Sequence, residues 1–488
     1  MTIAQTAYGK VRGTEIADGI YAWRGIPYAR PPVGDLRLRP PEPPEPWQGT
    51  RDATGYGFRS LQPPEQFPEP GPPFDEDCLY LNVTAPAGAA DRPVLFWVHG
   101  GGYETGTGTE LAADGAAFAR SHGLVVVTFN YRLGALGFLD VDGETPSGAL
   151  GLHDQIAALR WTFQNVAAFG GDPAAITVYG LSAGGKTVTN LLASPLTRGL
   201  IRRAASSSGG DHVKSPDQAR ELTARFFREL GTSPGRVRAV PAADILDAQM
   251  AIATPPRSSW IWRPSVDGAA LTGHPLTAIE AGAAAGIPLL AQTCARECAL
   301  YQLMAPDAAK QADRVLAGYF GDQTAGALLA AVAAANPDLT ETARRVAVMS
   351  DERYNVRVGR LADAQSRHAP VYRSRYDGPY TGFPSPDSPQ AEMYAAFAPL
   401  AYAAHGADGT AIWQGAAAGG DEALSDQLHD AWGAFAMTGD PGWARYTTDD
   451  RKTMIFDPEG SRVTADPFGS VRAAWAGLDW QPGTWWAY

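Results

Sequence analysis

The pentapeptide Gly180-Leu181-Ser182-Ala183-Gly184 is the part of this sequence best suited to covalent chemistry. It follows a short β-branched run, residues 175–179, and precedes a run with helical spacing, residues 186–193, so the sequence predicts a strand, a tight turn and a helix. A turn of this kind strains the serine at the carboxyl end of the strand and exposes its hydroxyl as a nucleophile. The alternative is a serine that only caps the helix.

A second glycine-rich segment could serve such a nucleophile. A serine needs a base that takes its proton, a carboxylate that orients the base, and donors that stabilise the oxyanion. The segment His99-Gly100-Gly101-Gly102-Tyr103 directly follows the apolar run 94–98, and its glycines leave backbone N–H groups open to a ligand. We therefore assign the oxyanion hole to the amides of Gly101, Gly102 and Ala183. The alternative is a glycine turn that forms an anion-binding nest.

Both segments are typical of a fold in which strands and helices alternate along the chain. Residues 94–98 and 124–129 are wholly apolar, which is typical of strands buried on both faces of a parallel sheet. Ile156, Leu159, Phe163 and Val166 form one apolar helical stripe. The pattern predicts an α/β fold with a large, mostly parallel central sheet flanked by helices. The alanine-rich sequence from about residue 305 predicts additional helices, and the Pro-rich segments 40–46 and 63–73 predict long surface loops.

Composition narrows the classes of partner. The 488 residues carry a net charge of -12, which argues against nucleic acid and against an anionic membrane surface. Three cysteines in so long a chain do not make a disulfide framework, and we find neither a secretory signal nor an apolar run that could span a bilayer. No repeat or clear linker divides the chain. We therefore predict a cytoplasmic protein in which residues 1–488 form one domain and no membrane is a partner.

Further motifs, in the same order along the chain, resemble those of the type B carboxylesterases, a family that includes bacterial para-nitrobenzyl esterases and the cholinesterases. The resemblance implies the α/β-hydrolase fold with helical insertions over the active site. It also implies cleavage of carboxylic esters through an acyl-enzyme, with neither metal nor cofactor. The motifs are Gly25-Ile26-Pro27-Tyr28-Ala29, Glu76-Asp77-Cys78-Leu79, Asn130-Tyr131-Arg132, Gly151-Leu152-His153-Asp154 and Phe169-Gly170-Gly171-Asp172-Pro173.

The resemblance also selects the acid and the base. Residues 288–301 match the family segment in which Glu297 takes the position of the triad acid, although Arg296 and Cys298 stand where relatives have Asp and Gly. Arg296 could pair with Glu297 and compete for it, or it could face solvent. Residues 404–408 resemble the family's catalytic histidine loop and make His405 the base among eight histidines. The order serine, acid, histidine is that of α/β-hydrolases.

Several positions bear on specificity. Leu181 stands where many relatives place a Glu beside the nucleophile, so we expect neutral esters to be preferred over cationic ones. Leu181, Tyr103, Trp260 and Trp262 are candidates to line the substrate pocket, although the two tryptophans could equally be core residues. Ser208 resembles a second family serine near the triad.

Two further features concern the cysteines. Ser60 stands where relatives place the cysteine that partners Cys78, so the resemblance implies that this disulfide is absent. Cys294 and Cys298 could pair with each other, but we interpret them as thiols without a chemical role.

These observations predict a serine carboxylesterase that acts on small-molecule neutral esters as a monomer or homodimer, with no metal, no cofactor and no nucleic acid. Two alternatives remain open at this point. One is a specialised natural-product hydrolase or acyl-transfer enzyme on the same fold. The other is a non-catalytic, cholinesterase-like scaffold, which would usually lack a triad member.

Overall fold

The computed structural model describes residues 2–64, 71–110, 113–141, 148–253, 261–300, 308–380, 400–414 and 421–480. Its strands, numbered along the chain, are β1 (Thr2–Thr6), β2 (Gly9–Ala17), β3 (Ile20–Pro27), β4 (Thr50–Asp52), β5 (Arg59–Ser60), β6 (Phe74–Asp75), β7 (Tyr80–Pro86), β8 (Arg92–Val98), β9 (Val125–Phe129), β10 (Gly171–Leu181), β11 (Arg203–Ser207), β12 (Leu289–Cys294), β13 (Val371–Tyr376), β14 (Thr453–Phe456) and β15 (Arg462–Thr464).

The helices are numbered in the same way. They are α1 (Ala116–His122), α2 (Gly134–Phe138), α3 (Leu150–Asn165), α4 (Ala183–Ala193), α5 (Pro216–Leu230), α6 (Ala242–Ile252), α7 (Pro275–Glu280), α8 (Ala308–Ala335, kinked at Gly321), α9 (Glu341–Ser350), α10 (Val356–Gln365), α11 (Ala407–Trp413), α12 (Glu422–Thr438) and α13 (Gly469–Ala474). In the described part of the chain, no helix is both long enough and apolar enough to cross a membrane.

The large sheet has the strand order β1-β2-β3-β7-β9-β8-β10-β11-β12-β13-β14-β15, with β4 paired to β2. The seven strands from β9 to β14 in this order run parallel, whereas β1, β2, β3, β7 and β15 pair antiparallel with their neighbours in the order. Helices between successive parallel strands cover its faces, which buries both faces of β8 and β9. The predicted large, mostly parallel sheet is confirmed.

The segment around Ser182 differs from the prediction in its bounds. Strand β10 runs from Gly171 to Leu181, longer than residues 175–179, because pairing with β8 and β11 continues to its carboxyl end. Helix α4 begins at Ala183, immediately after the serine, rather than near residue 186. No residue therefore separates Ser182 from either element, and the backbone must turn at the serine itself.

The parallel strands bring distant parts of the sequence to one edge of the sheet. Strands β8, β10, β11 and β12 are neighbours and end in the same direction. The residues that follow them begin at His99, Ser182, Ser208 and Ala295. Loops beyond the carboxyl ends of parallel strands commonly carry the functional residues of an α/β protein.

Candidate active site

Ser182 sits in a strained turn between β10 and α4. Its backbone has φ 59° and ψ −119°, a combination that a residue with a Cβ rarely adopts. The flanking glycines make the turn possible, because a Cβ on Gly180 would collide with the carbonyl of Gly184, and one on Gly184 would collide with the carbonyl oxygen of Val98. Strand, turn and helix thus crowd together and present the serine hydroxyl beyond the strand, as the sequence predicts.

The glycine-rich loop after β8 lies against this turn. A Cβ on Gly100 would come within 3.3 Å of the Ser182 Cβ. Gly101 and Gly102 have φ of +99° and +65°, and a Cβ on Gly101 would collide with the carbonyl of Thr105, whose own N–H donates back to Gly101 at 2.9 Å. The loop is therefore fixed beside the serine in a conformation that needs glycine, with Ala183 opening the adjacent helix.

Glu297 and His405 are in direct contact. His405 Nδ1 lies 2.7 Å from Glu297 Oε2, and the Ser208 hydroxyl donates to Glu297 Oε1 at 2.6 Å. The backbone N–H of Cys294 donates to the same oxygen at 2.9 Å. The carboxylate is fully buried, while the imidazole is 20% exposed, so Nε2 is the ring nitrogen left for proton transfer.

The side chain of Arg296 is not among the partners of the Glu297 carboxylate in the described structure. Its backbone N–H donates to Ala403, and its side chain lines a separate cavity that Ala299 and Ser350 also line. The backbone N–H of Cys298 donates to Ser350 Oγ at 3.0 Å. The departures from the family pattern on either side of Glu297 leave its contacts intact.

A second buried carboxyl lies close by. Asp408 accepts a hydrogen bond of 2.6 Å from Gln292 Nε2, and Cys294 Sγ lies 3.4 Å from its other oxygen. Burial raises the pKa of Asp408, and the nearby charge of Glu297 raises it further. Asp408 thus braces the loop that follows His405, but the imidazole nitrogen is bound to Glu297.

Two residues that the sequence did not suggest lie beside these groups. Lys186, one turn after Ser182 on α4, is 2% exposed, and its Nζ lies 4.5 Å from the centre of the Tyr354 ring. Tyr354 in turn packs against His405, with ring centres 4.6 Å apart and the ring planes tilted by 33°. It belongs to a π-turn, Asp351–Asn355, that joins α9 to α10, and such turns often occur at functional sites. The signal in the sequence was the single charged residue of α4.

Lys186 also lies beside the glycine-rich loop. Together with His212 and Arg263 it surrounds a gap, too small for a water molecule, that Gly102, Tyr103 and Ala183 also line. Burial lowers the pKa of Lys186 to about 7 and that of Arg263 to about 10, and it lowers the pKa of His212. Three basic side chains therefore lie beside the loop, and burial favours the uncharged form of each.

The remaining pocket candidates are placed as follows. Leu181 is half-buried, and a Cβ on Gly409 would come within 3.0 Å of its Cδ2, so it lies close to the histidine loop. Trp262 is fully buried and packs edge-on against Phe226, which is the core position that the sequence left open. Trp260 lies outside the described residues.

All three cysteines are buried free thiols, including Cys78, which lies near Ser60. Cys294 and Cys298 do not pair with each other. Within the described ranges, no group of three or more His, Cys, Asp or Glu side chains is arranged to hold a metal ion.

A mostly parallel sheet with a strained serine turn and a histidine–carboxylate pair at one edge defines the α/β-hydrolase fold, and the chain belongs to the carboxylesterase family. The family model described as "Carboxylesterase family" matches residues 1–470. The protein is a carboxylic ester hydrolase.

Individual relatives agree with this assignment over nearly the whole chain. The chain is 37% identical to the para-nitrobenzyl esterase of Bacillus subtilis over 94% of its own length and 95% of that protein. It is 33% identical to the phenmedipham hydrolase of Pseudarthrobacter oxydans, covering 95% of this chain and 97% of that protein. Among solved structures, a Geobacillus stearothermophilus carboxylesterase superposes with a TM-score of 0.84 at 35% identity, covering 97% of this chain and all of that one.

Proposed function

We propose that the protein hydrolyses carboxylic esters through an acyl-enzyme formed on Ser182. The observation that supports this most is the 2.7 Å contact between His405 and Glu297 at the sheet edge that also carries the strained serine. Ser182 Oγ attacks the ester carbonyl while His405 takes its proton, and Glu297 holds the imidazole tautomer and stabilises its charged form. His405 then gives this proton to the leaving alcohol.

The second half of the reaction uses the same groups. His405 takes a proton from water, which attacks the acyl-enzyme, and the proton returns to Ser182 Oγ as the carboxylic acid departs. In both halves the amides of Gly101, Gly102 and Ala183 bind the oxyanion. Removal of one such donor typically costs about 2.7 to 4 kcal/mol in the transition state.

We further propose that uncharged esters are preferred over cationic ones. Leu181 supplies no negative charge beside the nucleophile, and the basic side chains of Lys186 and Arg263 lie beside the glycine-rich loop. A cationic substituent would be repelled by these groups and would find no carboxylate in position 181.

Chemical labelling and a serine variant test the assignment of Ser182 as the nucleophile. A serine-directed phosphonate should add one label to the parent protein in intact-mass spectrometry and none to Ser182→Ala, and the variant should lose ester hydrolysis. Label that persists in the variant, or that never appears in the parent, would overturn the assignment of the nucleophile.

Substrate preference is tested in the same preparations. Acetylcholine should be hydrolysed more slowly than its uncharged isostere, in which a tert-butyl group replaces the quaternary ammonium. Because the two esters have nearly the same shape, a higher kcat/KM for acetylcholine would refute the preference and leave the nucleophile untouched.

We also propose a reducing compartment, the cytoplasm, as the place where the protein acts. The three free thiols support this, because secreted enzymes of this size commonly oxidise their cysteines in pairs.

A further inference from the structure

Five residues in and around the proposed triad form a closed network of contacts. Beginning at the imidazole, His405 Nδ1 binds Glu297, and Glu297 accepts the hydroxyl of Ser208. The carbonyl oxygen of Ser208 accepts a hydrogen bond of 3.3 Å from Lys186 Nζ. Lys186 lies over the ring of Tyr354, and this ring packs against His405 at a tilt of 33°, which closes the network.

The network of contacts also includes the backbone of the proposed nucleophile, Ser182. The backbone N–H of Lys186 donates to the carbonyl oxygen of Ser182 at 2.9 Å, so the ammonium projects from the helical turn that starts at the serine. Lys186 and Tyr354 are buried, with exposures of 2% and 0%, which leaves their contacts little room to vary. Displacement of either side chain would therefore alter the contacts of His405 and of Glu297.

Lys186 connects the acid side of this network to the base side. Its Nζ donates to the backbone of Ser208, whose hydroxyl donates to Glu297, and it also lies over the ring of Tyr354, which packs against His405. One buried ammonium therefore supports the partners of both Glu297 and His405.

We propose that Lys186 and Tyr354 are positioning residues of the proposed triad: the Tyr354 ring packs against the imidazole of His405 and fixes its orientation, and the buried Lys186 ammonium holds both the Tyr354 ring and the backbone of Ser208 in place. This inference rests on the proposed triad, and it adds two residues to it.

The contacts of Lys186 are tested with Lys186→Met, which keeps the length of the stem and removes the ammonium. With an uncharged p-nitrophenyl ester, kcat per active site labelled by the phosphonate should fall by about tenfold with little change in KM. Lys214 provides a matched control, because it is also buried and its pKa is also lowered to about 7, but its Nζ donates to the carbonyl oxygen of Phe138 rather than to that of Ser208. Lys214→Met should keep the parent kcat.

The contact between the Tyr354 ring and His405 is tested with a second pair of variants. Tyr354→Phe keeps the aromatic face and should keep the parent kcat, whereas Tyr354→Leu should lower kcat by about tenfold with little change in KM, because the bound substrate then meets a poorly oriented base. These readouts separate positioning from a purely structural role, which would lower the amount of protein that the phosphonate labels without changing kcat per labelled site.

Three results would overturn the inference. They are a Lys186→Met variant with the parent kcat, an equal loss of kcat in Lys214→Met, or a Tyr354→Leu variant with the parent kcat. Each is distinct from a failure of the proposed function, in which the phosphonate would not label Ser182 in the parent.

Discussion

Two buried carboxyls flank the candidate histidine, and their partners distinguish them. Glu297 is bound to the imidazole nitrogen and to the hydroxyl of Ser208, whereas Asp408 is bound to Gln292 and Cys294. A carboxylate that orients an imidazole must contact its nitrogen, and only Glu297 does so among the described residues. Proximity to the histidine in sequence, which favours Asp408, is therefore a poorer guide than contact.

This distinction predicts unequal effects of two isosteric changes. Glu297→Gln should lower kcat by about 10⁴-fold, because the amide leaves the imidazole without its anionic partner and in the wrong tautomer. Asp408→Asn should lower kcat by no more than about tenfold, since it removes only a neighbouring brace of the loop. Steady-state kinetics on one uncharged ester would measure both, and a larger loss in Asp408→Asn would reverse the assignment.

At the level of residues, sequence patterns locate those parts of the site that belong to local motifs. Ser182 and the loop glycines lie in turns whose backbone demands specific residues, and Glu297 and His405 lie in segments that resemble a family. Tyr354 lies in no such motif, and Lys186 is marked only as the single charged residue of α4, because their place beside His405 depends on how the turn between α9 and α10 lies against α4. Residues whose role comes only from tertiary contact are not visible in one sequence.

The turn at Ser182 shows how two elements can leave no freedom to the residue between them. The strand and the helix are in contact through Gly180 and Gly184, and neither position has space for a methyl group. The sequence predicts this corner but not where each element ends, because strand pairing and helix formation compete for the residues next to the serine. The glycines decide the outcome by allowing both elements to reach Ser182.

Gly184→Ala should therefore destabilise the protein by about 1 to 3 kcal/mol and reduce activity, since the added methyl group would force α4 away from β8. Gly235→Ala is a suitable control, because a Cβ there meets no atom within 4 Å and its φ is not in the left-handed range. The control should lie within about 0.5 kcal/mol of the parent. Urea denaturation would compare the three proteins, and equal midpoints would contradict the close approach.

At the scale of the whole molecule, one sheet draws its strands from Thr2 to Thr464. We propose on this ground that residues 1–488 form one domain. A buried ion pair joins the segment that follows β9 to helix α3. Asp154 on α3 binds the guanidinium of Arg132 through both oxygens, at 2.8 and 2.7 Å. Arg132 also donates at 2.7 Å to the carbonyl oxygen of Arg39. The buried guanidinium of Arg132 thus connects its own segment to two distant ones.

Asp154→Asn should lower the free energy of unfolding by about 3 to 5 kcal/mol, because it leaves the Arg132 charge buried without its partner. Asp91→Asn, at an exposed position with φ 52° that asparagine tolerates, should be nearly neutral. Urea unfolding followed by tryptophan fluorescence would measure both changes. A midpoint for Asp154→Asn equal to that of the parent would show that the pair does not support the fold.

The three cysteines have a practical consequence for chemical labelling. All are buried, and burial raises the pKa of Cys78 and of Cys298 to about 12 and raises that of Cys294 as well. Alkylating reagents attack the thiolate, which these residues scarcely form at neutral pH. We therefore expect the folded enzyme not to react with maleimides. One cysteine introduced on its surface would then carry a dye or a tether at a single known position.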